Sequence, residues 1–77
     1  MAIEMNDLDR MQAAYQAAVD AWVAAIREEE ALASGDHSEA EIDQWEAAGF
    51  REEAARDEAK AAKKEYEDAL REKFFSF

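Results

Sequence analysis

The chain contains no cysteine and no proline, and only two glycines among its 77 residues. Without cysteine it can form no disulfide, and it lacks the thiolate ligands that most structural zinc sites use. Proline and glycine are the residues that most often interrupt a helix, so only Gly35 and Gly49 mark such points. No segment alternates apolar and polar residues with a period of two, and we therefore expect no β-strand.

Large apolar side chains are also scarce. The hydrophobic fraction is 49%, but 19 of these 38 residues are alanine, whose burial removes little apolar surface from water. Ordering a chain costs about 1.5 kcal/mol of conformational free energy per residue, and the apolar burial in a core of this kind roughly offsets that cost at best. Oligomerisation would supply the missing buried area, so we expect the chain to self-associate as a homodimer.

Positive charge is in short supply, with nine Lys and Arg against 20 Asp and Glu and a net charge of −11. This sign disfavours direct binding to nucleic acid or to an anionic membrane, and it favours a protein partner with a basic surface. The most apolar stretch, residues 13–26, is short for a membrane span and contains Gln16 and Asp20. The N-terminal residues lack the basic and apolar segments of a secretory signal. We therefore expect a cytoplasmic protein.

Two long helical patterns occupy the rest of the sequence. In the first half, Leu8, Tyr15 and Trp22 recur every seven residues, and in the second half Trp45 and Ala48 begin a similar row. Such spacing is typical of helices that pack one face against a core. Alanine, Glu, Lys and Arg, which dominate both halves, favour helix formation.

The break between the two patterns lies in the segment SGDH. Gly35 suits the position just past a helix end, and Ser38 followed by Glu41 matches a capping box. A bend this short makes the helices antiparallel neighbours. The predicted fold is therefore all-α, a single two-helix hairpin domain expected to dimerise into a four-helix bundle. Its predicted parts are helix 1 at about 6–34, a bend at 35–38, helix 2 at about 39–74 and a short apolar tail at 75–77.

The bend also predicts which residues of the two helices are neighbours. Residue i of helix 1 should lie beside roughly residue 72 − i of helix 2, within one helical turn, so Trp22 should fall beside Gly49. Glu29 and Glu52 occupy positions on the seam where an apolar residue would pack. A buried unpaired carboxylate is costly, so either the seam is wet there or arginines such as Arg56 reach these groups.

Most of the net charge is concentrated around the bend. Residues 28–46 carry eight carboxylates and no Lys or Arg, so −8 of the −11 lies at one end of the rod. Acidic residues in the first turn of helix 2 interact favourably with the helix dipole. Glu28 and Glu30 lie near the C-terminal end of helix 1, where the dipole destabilises negative charge. Packing has no evident need of these two residues. A solvated face is one interpretation, and a docking surface for a basic partner is the other. The candidate partner-binding residues of this acidic tip are Glu28, Glu29, Glu30, Asp36, Glu39, Glu41, Asp43 and Glu46.

Catalytic and metal-binding motifs are not evident. His37 is the only histidine, and neither a calcium-loop pattern nor an HExxH motif accompanies it. The sequence offers no nucleophile paired with a base and no glycine-rich phosphate loop, and a two-helix hairpin encloses no pocket. We therefore expect no enzymatic activity, no cofactor and no metal site.

A second candidate surface is apolar. Val23 and Phe50 lie off the helical stripe, and the tail LREKFFSF extends beyond the expected end of helix 1. Exposed aromatic residues of this kind mark association surfaces, although the tail could instead fold back over Ile3, Met5 and Leu8. The candidate association surface consists of Trp22, Val23, Trp45, Phe50, Phe74, Phe75 and Phe77.

Two functional hypotheses follow. The first is a small acidic, non-enzymatic protein–protein interaction module that acts as a homo-oligomeric helical hairpin. The alternative is an acidic inhibitor that imitates nucleic acid and occupies the basic groove of a nucleic-acid-binding protein. Phage anti-defence proteins often have this size and charge, but that likeness rests on charge and length alone.

Overall fold

The computed structural model describes residues 3–33 and 39–75, which form two long helices. Helix α1 spans Met5–Ala33 and helix α2 spans Glu39–Phe75, with 29 and 37 residues respectively. They pack against each other as a hairpin, so the predicted all-α hairpin is confirmed, and the described residues contain no strand. The predicted bend at 35–38, including the Ser38 cap, and the tail residue Phe77 lie outside the described residues.

The start of α1 is fixed by a cap that the sequence analysis did not predict. The backbone amide of Glu4 donates to the Asp7 carboxylate at 3.1 Å, and the amides of Asp7 and Leu8 donate to the Glu4 carbonyl. This arrangement satisfies amides that a helix start leaves free. The hydrogen bond from the Glu4 amide, and then the one from Arg10, hold the pKa of Asp7 below its ordinary value of 3.8.

Polar contacts along the rod show how the two helices are aligned. At the open end, the Lys73 ammonium donates to the Ile3 carbonyl at 2.8 Å, and nearer the bend Trp22 donates to Glu52. Gly49 lies beside Glu29 rather than beside Trp22. The alignment is therefore antiparallel. Each α1 residue i lies beside an α2 residue roughly one turn further along the chain than the predicted residue 72 − i.

The core between the helices is thin. Among the described residues, Leu8, Ala48, Ala59 and Ala69 are the buried hydrophobic ones, and no large side chain is fully buried. Alanine lets two helices approach closely, but it contributes little apolar area. Larger residues such as Tyr15, Trp22 and Tyr66 are half-buried at the edges of the seam.

The hairpin is a rod rather than a compact body. Its Cα extents are 55 × 17 × 14 Å and its radius of gyration is 17.2 Å, against roughly 11–12 Å for a compact domain of this length. Its accessible surface of 5962 Å² exceeds the roughly 4,700 Å² of a compact monomer of the same mass. Much of the surface that a globular domain would cover is thus still exposed.

Candidate functional site

Eight large apolar side chains in the described part of the chain are between 40% and 72% exposed. Their distribution around the rod is uneven, and it divides the hairpin into two sides and an outer face. Exposed residues of this kind scattered singly would need no explanation, but a cluster indicates a contact surface. The eight residues are Met5, Val23, Ile26, Ile42, Trp45, Phe50, Phe74 and Phe75.

Four of them form one patch near the bend. Ile26 of α1 and Trp45 of α2 line the same groove between the helices, together with Glu30. Val23 precedes Ile26 by three residues and Ile42 precedes Trp45 by three, so each adjoins its neighbour on the same flank of its helix. We call Val23, Ile26, Ile42 and Trp45 the bend patch.

Two more lie on the same side at the opposite end of the rod. Met5 precedes Val23 by eighteen residues, about five helical turns, and Phe74 follows Trp45 by about eight turns. A whole number of turns returns a side chain to about the same flank of its helix, so helix geometry places Met5 and Phe74 on the side of the bend patch, and we call these two residues the end patch. The side that carries both patches is called the tryptophan side.

The opposite side of the hairpin has a different composition. Its groove is lined by Arg10, Met11, Ala14, Ala62 and Glu65, with Asp7. None of the exposed large apolar side chains in the described residues lies in this groove. The exposed large apolar side chains of the described residues thus lie on the tryptophan side and on the outer face of α2.

The outer face of α2 carries the remaining two of the eight exposed residues, both phenylalanines. Phe50 follows the fully buried Ala48 by two residues, a rotation of roughly 200°, and it is 72% exposed. Phe75 lies on the same outer face at the end of α2. Because α2 continues as a helix through Phe75, with Phe74 and Phe75 60% and 67% exposed, this part of the tail does not fold back over α1.

The predicted association residues are therefore not one surface. The structure places Val23, Trp45 and Phe74 on the tryptophan side, and Phe50 and Phe75 on the outer face of α2. Trp22 is half-buried in the seam. Ile26, Ile42 and Met5, which complete the two patches, were not among the predicted association residues.

Trp22 and Glu52 form a partly buried hydrogen bond between side chains of the seam. The indole Nε1–H donates to the Glu52 carboxylate at 2.9 Å, which gives this seam carboxylate a partner. Of the two alternatives for this carboxylate, a wet seam or a nearby arginine, the second is not seen with Arg56, which forms no ion pair with a described residue and whose Nε is buried without a hydrogen-bond partner in the described structure.

The acidic tip is only partly a free surface. Glu28 accepts a hydrogen bond from Arg51 of α2 at 2.5 Å, across the two helices, so this carboxylate has a cationic partner outside the acidic segment. Glu30, Glu39, Asp43 and Glu46 are exposed, whereas Glu29 and Glu41 are half-buried. Asp36 and His37 lie outside the described residues. Within residues 3–33 and 39–75, no three His, Asp or Glu side chains are grouped to hold a metal ion.

The hydrogen bond between Trp22 and Glu52 gives a direct test of the seam. Replacing Glu52 by Ala removes the acceptor of a partly buried indole N–H, so it should destabilise the hairpin by about 1–2 kcal/mol. Glu58→Ala is the matched control, because Glu58 is exposed, forms no ion pair with a described residue and should cost less than about 0.5 kcal/mol when replaced. Urea unfolding followed by tryptophan fluorescence measures both, and equal costs would show that the contact has no energetic role.

Neither helix, in the part of the chain that the structure describes, is long and apolar enough to span a membrane. No protein-family model, curated protein or solved structure matches the chain.

Proposed function

We propose that the chain is a non-enzymatic protein–protein interaction module that works as a homodimer of helical hairpins. One observation carries this proposal: six of the eight exposed large apolar side chains lie on the tryptophan side. An isologous dimer uses the same surface on both copies, so a single apolar side is the surface it requires. Joining two tryptophan sides produces a four-helix bundle.

The dimensions of the rod support the same proposal. A side 55 Å long and 14–17 Å wide offers a footprint of roughly 800–900 Å². A specific protein–protein interface buries about 800 Å² on each partner. The tryptophan side alone is therefore large enough for a stable dimer.

The thin core gives the dimer a reason to form. The buried hydrophobic residues of the described chain are one leucine and three alanines, so a single hairpin gains little from apolar burial. Covering Trp45, Ile42 and Ile26, which are 40–49% exposed, would add a second apolar layer. Folding and association are then two parts of one equilibrium.

A pair of lysine substitutions tests the role of the tryptophan side. Val23→Lys places a charge in the bend patch, whereas Ala24→Lys places the same charge one position on, at an exposed site away from the patch. Both introduce lysine, a good helix former, so both should remain helical by circular dichroism. Sedimentation velocity should show dimers for the native chain and for Ala24→Lys, and mainly monomers for Val23→Lys. Identical behaviour of the two variants would contradict the proposal.

The exposed part of the acidic tip supports a second candidate function, imitation of nucleic acid. Glu30, Glu39, Asp43 and Glu46 are exposed and form no ion pair with any described residue. Such free carboxylates could occupy a groove that normally binds phosphates, and they would raise the association rate with a basic partner.

Salt dependence distinguishes this candidate from an apolar contact. The chain should displace DNA from at least one of a panel of basic DNA-binding proteins at 50 mM salt, and displacement should be lost at 300 mM because exposed ion pairs are screened. A variant with Glu30→Gln, Glu39→Gln, Asp43→Asn and Glu46→Gln should fail at both concentrations. If the native chain displaces no DNA at low salt, imitation of nucleic acid is wrong and the homodimer is unaffected.

A further inference from the structure

We infer that the two copies dock through their tryptophan sides with their bends at opposite ends of the bundle. This inference rests on the proposed homodimer and adds its orientation. It is the arrangement in which the bend of each hairpin lies beside the open end of its partner. The occupant of the exposed apolar side is thus a second copy of this chain, turned end for end.

Two orientations would bring the tryptophan sides together. A two-fold axis along the rod places the two bends at the same end, and each α1 then covers the partner's α2. A two-fold axis across the rod places the bends at opposite ends, and each helix then crosses its own copy in the antiparallel direction. Both are closed isologous dimers, so area and apolarity do not decide between them.

The distribution of charge decides between them. Residues 28–46 carry −8, whereas residues 1–27 carry −2 and residues 47–77 carry −1. With the bends together, two segments that each keep about −7 after Arg51 has paired with Glu28 would lie side by side, and helices in a bundle pack only about 8–10 Å apart. That separation is about one Debye length at physiological salt, so much of the repulsion would remain.

With the bends at opposite ends, the like charges are far apart. The rod is 55 Å long, and its two acidic ends would then be separated by several Debye lengths. Each acidic bend would instead lie beside the nearly neutral open end of the other copy. In this orientation the bend patch of one copy reaches the end patch, with Phe74, of the other.

The middle of the tryptophan side supports the same orientation. Lys60 follows Ile42 by about five turns and Glu53 follows it by about three, so both lie on the edge of α2 toward this side. Glu53 and Lys60 form no ion pair with any described residue. In the opposite-end dimer α2 crosses its copy near its midpoint at residue 57, which brings Glu53 of each copy opposite Lys60 of the other.

A distance measurement tests the orientation. The chain has no cysteine, so Asp43→Cys carries a single spin label per copy on an exposed site of α2, about two turns before Phe50 on the outer face. Asp43 lies fourteen residues from the midpoint of α2, so bends at opposite ends predict labels about 42 Å apart along the rod. Bends at the same end predict labels at one level, within about 30 Å. A pulsed electron–electron distance near 42 Å supports the inference, and one of about 30 Å or less overturns it while leaving the homodimer in place.

A charge exchange provides an independent measurement. Glu53→Lys alone and Lys60→Glu alone each place like charges opposite one another twice in the dimer, and each should weaken dimerisation by about five- to tenfold. The double variant Glu53→Lys/Lys60→Glu restores opposite charges and should return the dissociation constant to within about twofold of the native value. Additive weakening in the double variant would overturn the inference. A native chain that sediments as a monomer would instead overturn the proposed function itself.

Discussion

The structure depends on a seam built from alanine. Ala48, Ala59 and Ala69 are almost completely buried between the helices, and their small size allows close approach. The same small size limits the apolar area that the hairpin removes from water. Larger apolar residues are therefore displaced to the flanks of the seam, where a single copy covers them only in part. The exposed tryptophan side is a consequence of how the two helices meet.

Polar contacts provide the alignment that such a seam specifies poorly. Alanine rows on two helices can slide past each other by a turn with little change in packing, because no large side chain fills a defined hole. The bond from Trp22 to Glu52 and the pair of Arg51 with Glu28 join one residue on each helix. Exposed ion pairs add little to stability, but a half-buried indole–carboxylate bond favours one alignment over its neighbours.

Helical periodicity, together with the break at Gly35, was sufficient to predict two helices packed as a hairpin. The alignment was predicted about one turn from where the contacts lie, because the residues that set it, Trp22 and Glu52, are polar partners that a hydrophobic pattern does not reveal. Glu28 was expected to have no role in packing because Arg51, its partner, lies outside the acidic segment. The sequence could have shown that Phe50 and Trp45 face different directions. Trp45 lies three residues from the buried Ala48, on nearly the same face, whereas Phe50 lies two residues from it, on the opposite face.

Which flanks of the two helices share a side could not be predicted in the same way. Ile26 and Ile42 belong to different helices, and their common side depends on how each helix is rotated about its axis when it packs. That rotation follows from three-dimensional contacts such as the groove shared by Ile26 and Trp45. The division of the described surface into the tryptophan side and the opposite side, whose groove is lined by Arg10, Met11, Ala14, Ala62 and Glu65, therefore comes from the structure alone.

The central claim is that this chain completes its apolar packing by pairing with a second copy. The most direct measurement is the melting temperature, followed by circular dichroism, over a hundredfold range of protein concentration. Linkage to dimerisation predicts a rise of about 5–10 °C across that range, since a hundredfold change in concentration corresponds to about 2.7 kcal/mol. A melting temperature that does not change with concentration, in a chain that sediments as a monomer throughout, would contradict the claim.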